Sequence, residues 1–200
     1  MRSEWFEDPV IASNLVRSAP RRFVLVTGAG RSGTSTVAGA LSYLGLHLPQ
    51  PVLATNRSNP RGFFESFWAI EFHRRIMERA VIDTVDARPE AVAKISAVLR
   101  PEDRAEVEKW LAEQAEHAPQ VVVKDPRSAW MPGLWADASG NVGLPIRYLT
   151  MLRHPAEVVG SRSTYYAKGD ADAVRDYQVT NIARWVNANL ITESQTRGER

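Results

Sequence analysis

Short, mostly apolar runs indicate three candidate strands. They occupy residues 22–27, 121–124 and 146–152. A strand that is buried on both faces carries a continuous apolar run, which is typical of a parallel sheet covered by helices. The pattern therefore predicts a parallel sheet in the interior of the protein.

Helical patterns fill most of the remaining sequence. Helices are predicted over residues 4–16, 33–44, 66–82, 89–99, 102–117 and 170–190, and another is predicted to begin at Pro155. The apolar residues of the last helix are expected to serve packing rather than function, and they are Val174, Tyr177, Val179, Ile182, Trp185 and Val186. Residues 47–62 contain three prolines, which predict an irregular loop that lies over the site.

The order of strands, loops and helices favours an α/β fold. We expect three α/β/α layers around a parallel sheet, as in P-loop nucleotide kinases. The functional site is expected along the carboxyl ends of the strands, where ligands bind in open sheets of this kind. A chain of 200 residues is long enough to bury a sizeable core, so residues 1–200 are assigned to one domain.

Composition narrows the class of protein. The chain is 44% hydrophobic and 24% charged and contains no cysteine, which excludes disulfides and thiolate catalysis and favours a cytoplasmic location. The net charge of +2 is too small to indicate a nucleic-acid partner. No apolar run approaches the roughly 18 to 20 residues that span a bilayer, so the protein is not expected to be embedded in a membrane.

The first predicted strand continues into a glycine-rich turn, Gly28-Ala29-Gly30-Arg31-Ser32-Gly33, and then into a predicted helix. Glycines let the backbone turn tightly and bring N–H groups close to an anion. The helix start adds further donors and the positive end of the helix dipole. The turn is therefore predicted to bind a phosphate group.

Two common phosphate-binding loops fit this turn poorly. The Walker A pattern requires a lysine where this chain has Thr34, which argues against an ordinary ATPase or GTPase. The three glycines also satisfy the dinucleotide fingerprint, but no acidic residue follows between positions 35 and 61 to bind the ribose. A reductase that uses the phosphorylated dinucleotide stays open, because Arg57 can serve a 2′-phosphate.

Arg31 stands directly before Ser32-Gly33-Thr34-Ser35, and this arrangement resembles the phosphate loop of the sulfotransferases. Enzymes of this family transfer a sulfuryl group from 3′-phosphoadenosine 5′-phosphosulfate (PAPS), release 3′-phosphoadenosine 5′-phosphate (PAP) and need no metal. The resemblance implies that the loop binds the 5′-phosphosulfate through Gly30, Arg31, Ser32, Gly33, Thr34, Ser35 and Thr36.

A second motif follows the third predicted strand. Arg153 leaves the sheet at its carboxyl edge, Pro155 suits the first turn of a helix, and Ser161 lies eight residues after Arg153. The residues alone also fit a solvated arginine before an ordinary amphipathic helix. Sulfotransferases bind the 3′-phosphate with an arginine and a serine at this spacing, so the resemblance assigns Arg153 and Ser161 to it. The resemblance covers about residues 23–188, and related enzymes usually continue with a further basic segment, which this chain is expected to lack.

Three residues are candidates for catalysis. Arg31 is assigned to the leaving phosphate oxygen, where negative charge develops. Lys124 matches a position where the family often has a lysine near the sulfuryl group, although an ion pair with Asp125 is an alternative. The family's best-known base, a histidine two residues later, is replaced by Pro126. Glu65 is the candidate base, since two preceding aromatic residues favour burial and a raised pKa, although it also fits a helix start.

The sequence leaves open the roles of two histidines, the acceptor and two alternative functions. His73 is a reserve for the base but is expected at the protein surface, and His154 is expected to line the nucleotide pocket. The acceptor is expected to be a small molecule, carbohydrate or lipid with a hydroxyl or amine. A magnesium-dependent, kinase-like phosphotransferase, with Asp125 as the metal ligand, and a non-catalytic nucleotide-binding module are the alternatives.

Overall fold

Three parallel strands form the centre of the computed structural model, which describes residues 19–84 and 86–199. The strands are β1 (Arg22–Thr27), β2 (Gln120–Lys124) and β3 (Ile146–Thr150), in the order β2-β1-β3. Phe23 of β1 lies beside Val121 of β2 on one side and Ile146 of β3 on the other. The predicted parallel sheet is confirmed, while the helix predicted over residues 4–16 lies outside the described residues.

Seven helices accompany the strands in the described part of the chain. They are α1 (Thr34–Tyr43), α2 (Phe67–Ala80), α3 (Ala91–Val98), α4 (Pro101–His117), α5 (Pro132–Asn141), α6 (Pro155–Tyr166) and α7 (Ala171–Thr196). Prolines begin α4, α5 and α6, at a position where the missing N–H would have no partner within the helix. Across residues 19–84 and 86–199, none of the helices is both long and apolar enough to cross a membrane.

The two faces of the sheet pack against different helices. Phe23 and Leu25 of β1 belong to the larger apolar core, together with buried side chains of α2, α4 and α5. Val26 and Val122 belong to a smaller cluster on the opposite face, where Val37 of α1 covers them. Successive side chains of a strand point to opposite faces, so β1 and β2 are buried on both faces, whereas one face of β3 is exposed. The protein therefore has an α/β fold with helices on both sides of a parallel sheet.

Trp135 of α5 lies at the centre of the larger core. Its ring centroid is 5.3 Å from that of Phe23 and 6.1 Å from that of Trp110, and Trp110 stacks on Trp68 at 4.1 Å. Aromatic rings of this size contribute a large share of the apolar area in a core. This cluster fixes α2, α4 and α5 relative to the sheet, which matters for the site because α2 also carries His73.

Two elements differ from the sequence-based expectations. The apolar pattern does not predict α5, since the helix is short and contains Gly133 and Gly140. The last helix continues to Thr196, beyond the predicted end at residue 190. The expectation that the apolar residues of this helix serve packing is wrong for Val179 and Ile182, which are 59% and 47% exposed.

Candidate functional site

A cleft of about 460 Å³ opens where the carboxyl ends of the three strands meet. The loop after β1, the end of β2, the irregular segment before α2, Arg153 and the second half of α6 all contribute to its walls. Among the residues predicted for the site, those that line the cleft are Gly30, Arg31, Gly33, Thr34, Ser35, Thr36, Glu65, Lys124, Arg153 and Ser161. Ser32 is the predicted residue that does not line it.

The loop after β1 is held in a backbone conformation that few residues adopt. Gly28, Arg31 and Gly33 have φ angles of 126°, 75° and 94°. The left-handed region is uncommon for a residue with a side chain, and such conformations are often found at functional sites. A Cβ atom at Gly28 would lie 2.5 Å from the carbonyl oxygen of Met151, so glycine alone fits there. This close approach places the loop directly beside the end of β3.

The loop ends at the start of α1, where backbone N–H groups point out of the helix. The Val37 N–H donates to the Gly33 carbonyl at 3.2 Å, so the N–H groups before it have no partner within α1. Ser32 differs, because its N–H donates to the Ala29 carbonyl at 3.1 Å and its side chain is buried. The geometry favours an anion at this helix start, bound through residues that follow Ser32.

The loop and the second motif, which are far apart in the sequence, meet in the cleft. Arg31 Nε donates to Ser161 Oγ at 2.9 Å, and Arg153 Nη1 donates to the Arg31 carbonyl at 3.3 Å. Arg31 Nη1 also donates to the Ser58 carbonyl at 3.1 Å. Arg31 is therefore not a solvated turn residue, since it connects the loop, α6 and the irregular segment.

Glu65 and Lys124 form a buried ion pair at the floor of the cleft. Lys124 Nζ contacts Glu65 Oε1 and also donates to Ser35 Oγ at 3.2 Å, while Arg127 Nη1 lies 3.6 Å from Glu65 Oε2. Burial raises the pKa of Glu65 above its ordinary value of 4.5, and the nearby charge of Lys124 offsets only part of that effect. The alternative in which Lys124 pairs with Asp125 is wrong, because its partner is Glu65.

Asp125 belongs to a hydrogen-bonded chain in the core behind the cleft. Trp135 Nε1 donates to His73 Nε2 at 2.9 Å, and His73 Nδ1 lies 2.8 Å from Asp125 Oδ2. An indole N–H can only donate, so the His73 proton lies on Nδ1 and is donated to Asp125. Arg127 contacts Asp125 Oδ1 through its backbone N–H at 3.0 Å and through Nη1 at 2.8 Å.

These hydrogen bonds fix the positions of the Arg127 and His73 side chains. Burial by itself would raise the pKa of Asp125, but its contacts with His73 and Arg127 outweigh burial and hold the pKa below its ordinary value. Asp125 thus holds Arg127 beside Glu65. The expectation that His73 lies at the surface is wrong, since its side chain is fully buried between Asp125 and Trp135.

The charge of the cleft suits a ligand with several negative charges. The described residues that line it include a single carboxylate, Glu65, and five basic side chains, which are Arg31, Lys124, Arg127, Arg153 and Arg162. Basic side chains that converge in a concave site attract anions and bind phosphate or sulfate groups by charge-assisted hydrogen bonds.

Several residues that line the cleft, such as Asn59, Ser58 and Arg162, carry no assigned role from the sequence. Asn59 Nδ2 donates to Ser35 Oγ at 3.3 Å and to the Gly62 carbonyl at 2.6 Å, so the irregular segment does lie over the site as predicted. Ser58 and Arg162 also line the cleft. The Asn59-Pro60 pair predicts a turn, but no local sequence pattern predicts that Asn59 contacts Ser35.

The sequence predicts that His154 lines the nucleotide pocket, but the structure places it outside the cleft. It is exposed, it is not among the residues that line the cleft, and its Nδ1 accepts a hydrogen bond from the Ala156 N–H at 3.3 Å. This contact caps the start of α6, where backbone N–H groups have no partner within the helix. The expectation that His154 lines the pocket is therefore wrong.

The chain matches no model of a known protein family, and comparisons with curated proteins and with solved structures find no match. The resemblance to sulfotransferases consequently rests on the two motifs themselves. Their meeting in one basic cleft, with Glu65 and Lys124 at its floor, is the structural observation that bears on function.

Proposed function

We propose that this protein is a PAPS-dependent sulfotransferase with a three-layer, P-loop type of fold. The observation that supports it most is the contact between the two motifs, in which Arg31 Nε donates to Ser161 Oγ at 2.9 Å. A donor with anionic groups at both its 5′ and its 3′ positions needs two such sites in one cleft. The loop residues and the pair Arg153 and Ser161 would hold those two groups.

The cleft suits such a donor in size as well as in charge. Its volume of about 460 Å³ lies within the range of about 300–1,000 Å³ that is usual for small-molecule sites. The left-handed turn at Gly33 leads into the start of α1, whose N–H groups would bind the 5′-phosphate. Arg153, with its side chain close to the Arg31 carbonyl, would bind the 3′-phosphate.

PAPS supplies an activated sulfuryl group, whose bond to the phosphate oxygen breaks as a bond from sulfur to the acceptor oxygen forms. Glu65 takes the proton that the acceptor oxygen loses, and its raised pKa makes it a stronger base than an exposed carboxylate. Lys124 holds Glu65 by their ion pair and contacts Ser35 of the loop, so it lies between the base and the donor. Arg31 supplies positive charge where the leaving phosphate becomes more negative.

The structure makes the kinase-like alternative less favourable. That function requires Asp125 to bind magnesium, yet Asp125 is fully buried and bonded to His73 and Arg127. It is also not among the residues that line the cleft. We therefore retain the sulfotransferase as the proposed function, with a small molecule, carbohydrate or lipid as acceptor and with a cytoplasmic location.

The proposed donor is tested by calorimetric titration of the protein with PAP and, in parallel, with 5′-ADP, each with and without magnesium. We expect PAP to bind without magnesium and ADP to bind more weakly by about 10- to 150-fold, because ADP lacks the 3′-phosphate and so loses one charge-assisted contact. A preference for ADP that depends on magnesium, or no binding of either nucleotide, would contradict the proposal.

A further inference from the structure

Arg162 of α6 lies close to the loop after β1, although it belongs to neither predicted motif. Its side chain lines the cleft, and its Nη1 lies 3.7 Å from the position that a Cβ atom would occupy at Gly30. Gly30 is itself one of the loop residues that line the cleft. The guanidinium group therefore lies beside the backbone that is suited to bind an anion.

A hydrogen bond to α7 holds the guanidinium group of Arg162 in position. Arg162 Nε donates to Asn181 Oδ1 at 2.5 Å, and Asn181 is buried in α7 with an exposed fraction of 1%. The Asn181 amide is held in turn, because its Nδ2 donates to the Tyr177 carbonyl at 2.7 Å. The guanidinium carbon of Arg162 also lies 5.9 Å from the centre of the Tyr166 ring.

These contacts have a consequence for binding. An arginine whose Nε is held by a buried amide loses less conformational freedom when its Nη groups bind a ligand. A purely structural connection between α6 and α7 would not require the other end of the group to lie against a glycine of the loop. The site is thus arranged in advance for an oxyanion that sits on the loop.

We propose that Arg162, positioned by Asn181, is a further ligand of the 5′ anionic group that the loop binds. The identity of that group as a phosphosulfate rests on the proposed function. In this assignment Arg153 binds the 3′ side of the donor and Arg162 binds the 5′ side. Arg162 is a binding residue, whereas Asn181 acts through it.

Contacts to the 3′ side of the donor are distinguished from contacts to the 5′ side by comparing PAP with adenosine 5′-phosphosulfate, which lacks the 3′-phosphate. The dissociation constants of both ligands are measured by calorimetry for the wild type, Arg162→Gln and Arg153→Ala. We expect R162Q to weaken both ligands by about the same factor, roughly 10- to 150-fold, as one charge-assisted contact is lost. R153A is expected to weaken PAP by a similar factor and to leave adenosine 5′-phosphosulfate nearly unchanged.

Three further variants provide controls. Arg162→Lys keeps the positive charge on a flexible side chain but loses the contact with Asn181. Its affinity for both ligands should therefore lie between that of the wild type and that of R162Q. Asn181→Ala should weaken both ligands by less than R162Q does. Arg175→Gln removes an exposed arginine of α7 that does not line the cleft, and it should bind like the wild type. The thermal unfolding midpoint of each variant identifies any that are not folded, and R162K then replaces R162Q in the comparison.

The outcomes distinguish this inference from the proposed function. If the wild type binds neither ligand, the proposed donor is wrong. If the wild type binds PAP but R162Q and R162K bind both ligands as the wild type does, the donor is supported and the role of Arg162 is overturned. The role is equally overturned if R162Q weakens PAP alone, because Arg162 would then contact the 3′-phosphate.

Discussion

At the scale of single residues, the ion pair between Glu65 and Lys124 combines two opposing effects on one carboxylate. Burial disfavours the charged form of Glu65, and the ammonium group of Lys124 favours it. Burial is the larger effect, so the pKa of Glu65 lies above its ordinary value of 4.5. As the proposed base, Glu65 must be ionised to accept a proton, so we expect sulfotransferase activity to fall as the pH drops through this raised pKa.

The balance between the two effects is tested by Lys124→Met. Without the ammonium group the pKa of Glu65 should rise further, and the acidic limb of the profile of kcat/KM against pH should move to higher pH. The same shift should appear when the Glu65 carboxyl carbon is titrated by NMR in the protein without substrate, a measurement that does not depend on turnover. Lys109→Met, an exposed lysine of α4, is the matched control. An unchanged or lowered pKa in K124M would show that Lys124 does not set the ionisation of Glu65.

Sequence patterns predict the positions of Glu65 and Lys124 better than they predict the contact between the two side chains. The two aromatic residues before Glu65 indicated its burial, and the strand end indicated where Lys124 would lie. Neither signal showed that the two would pair, because they are 59 positions apart and the contact depends on how α2 packs against the sheet. The two arginines after His73 predict a surface position for it, but its side chain is buried and accepts a hydrogen bond from Trp135 in the core.

At the scale of elements, the loop after β1 depends on how closely β1 and β3 lie together. Met151, just after β3, donates its N–H to the Thr27 carbonyl at 2.9 Å, and its own carbonyl lies against Gly28. The apolar runs predict both strands, but of the two only β1 is buried on both faces, since one face of β3 is exposed. They did not predict the order of the strands, which depends on side-chain packing across the whole sheet.

Gly28→Ala tests this close approach. A side chain at Gly28 would clash with the Met151 carbonyl and would sit at a φ of 126°, so we expect the free energy of unfolding to fall by about 3 kcal/mol. Urea denaturation measures the change. Gly140→Ala is the control, since no atom lies within 4 Å of its Cβ position in α5, and it should be neutral or stabilising by up to about 1 kcal/mol. Equal stability of G28A and the wild type would show that the loop is not held against β3.

At the scale of the whole molecule, the candidate site is assembled from segments that are distant in the sequence. Arg31 and Ser161 are 130 positions apart, and Arg153 contacts the backbone of Arg31 across 122 positions. Each motif was predictable because it is local, with a glycine-rich turn in one and a strand-end arginine before a proline in the other. Their mutual contacts require the parallel sheet, which brings the ends of β1 and β3 to the same edge.

A ligand that joins these segments should stabilise the folded chain as a whole. A nucleotide that binds only the folded state at 100 times its dissociation constant stabilises it by about 2.7 kcal/mol. For a domain of this size, the unfolding midpoint should rise by roughly 5 to 10 °C, as measured by differential scanning calorimetry with PAP.

Arg153→Ala should reduce this shift, because a dissociation constant that is 10- to 150-fold weaker leaves only about 0.3 to 1.4 kcal/mol of stabilisation at the same PAP concentration. Arg175→Ala, which removes an exposed arginine outside the cleft, should keep the full shift and so controls for the loss of positive charge. If R153A showed the full shift, Arg153 would make no contact with the nucleotide. PAP would then be bound by the loop after β1 without the second motif, and the contact between Arg153 and Arg31 would serve the fold alone.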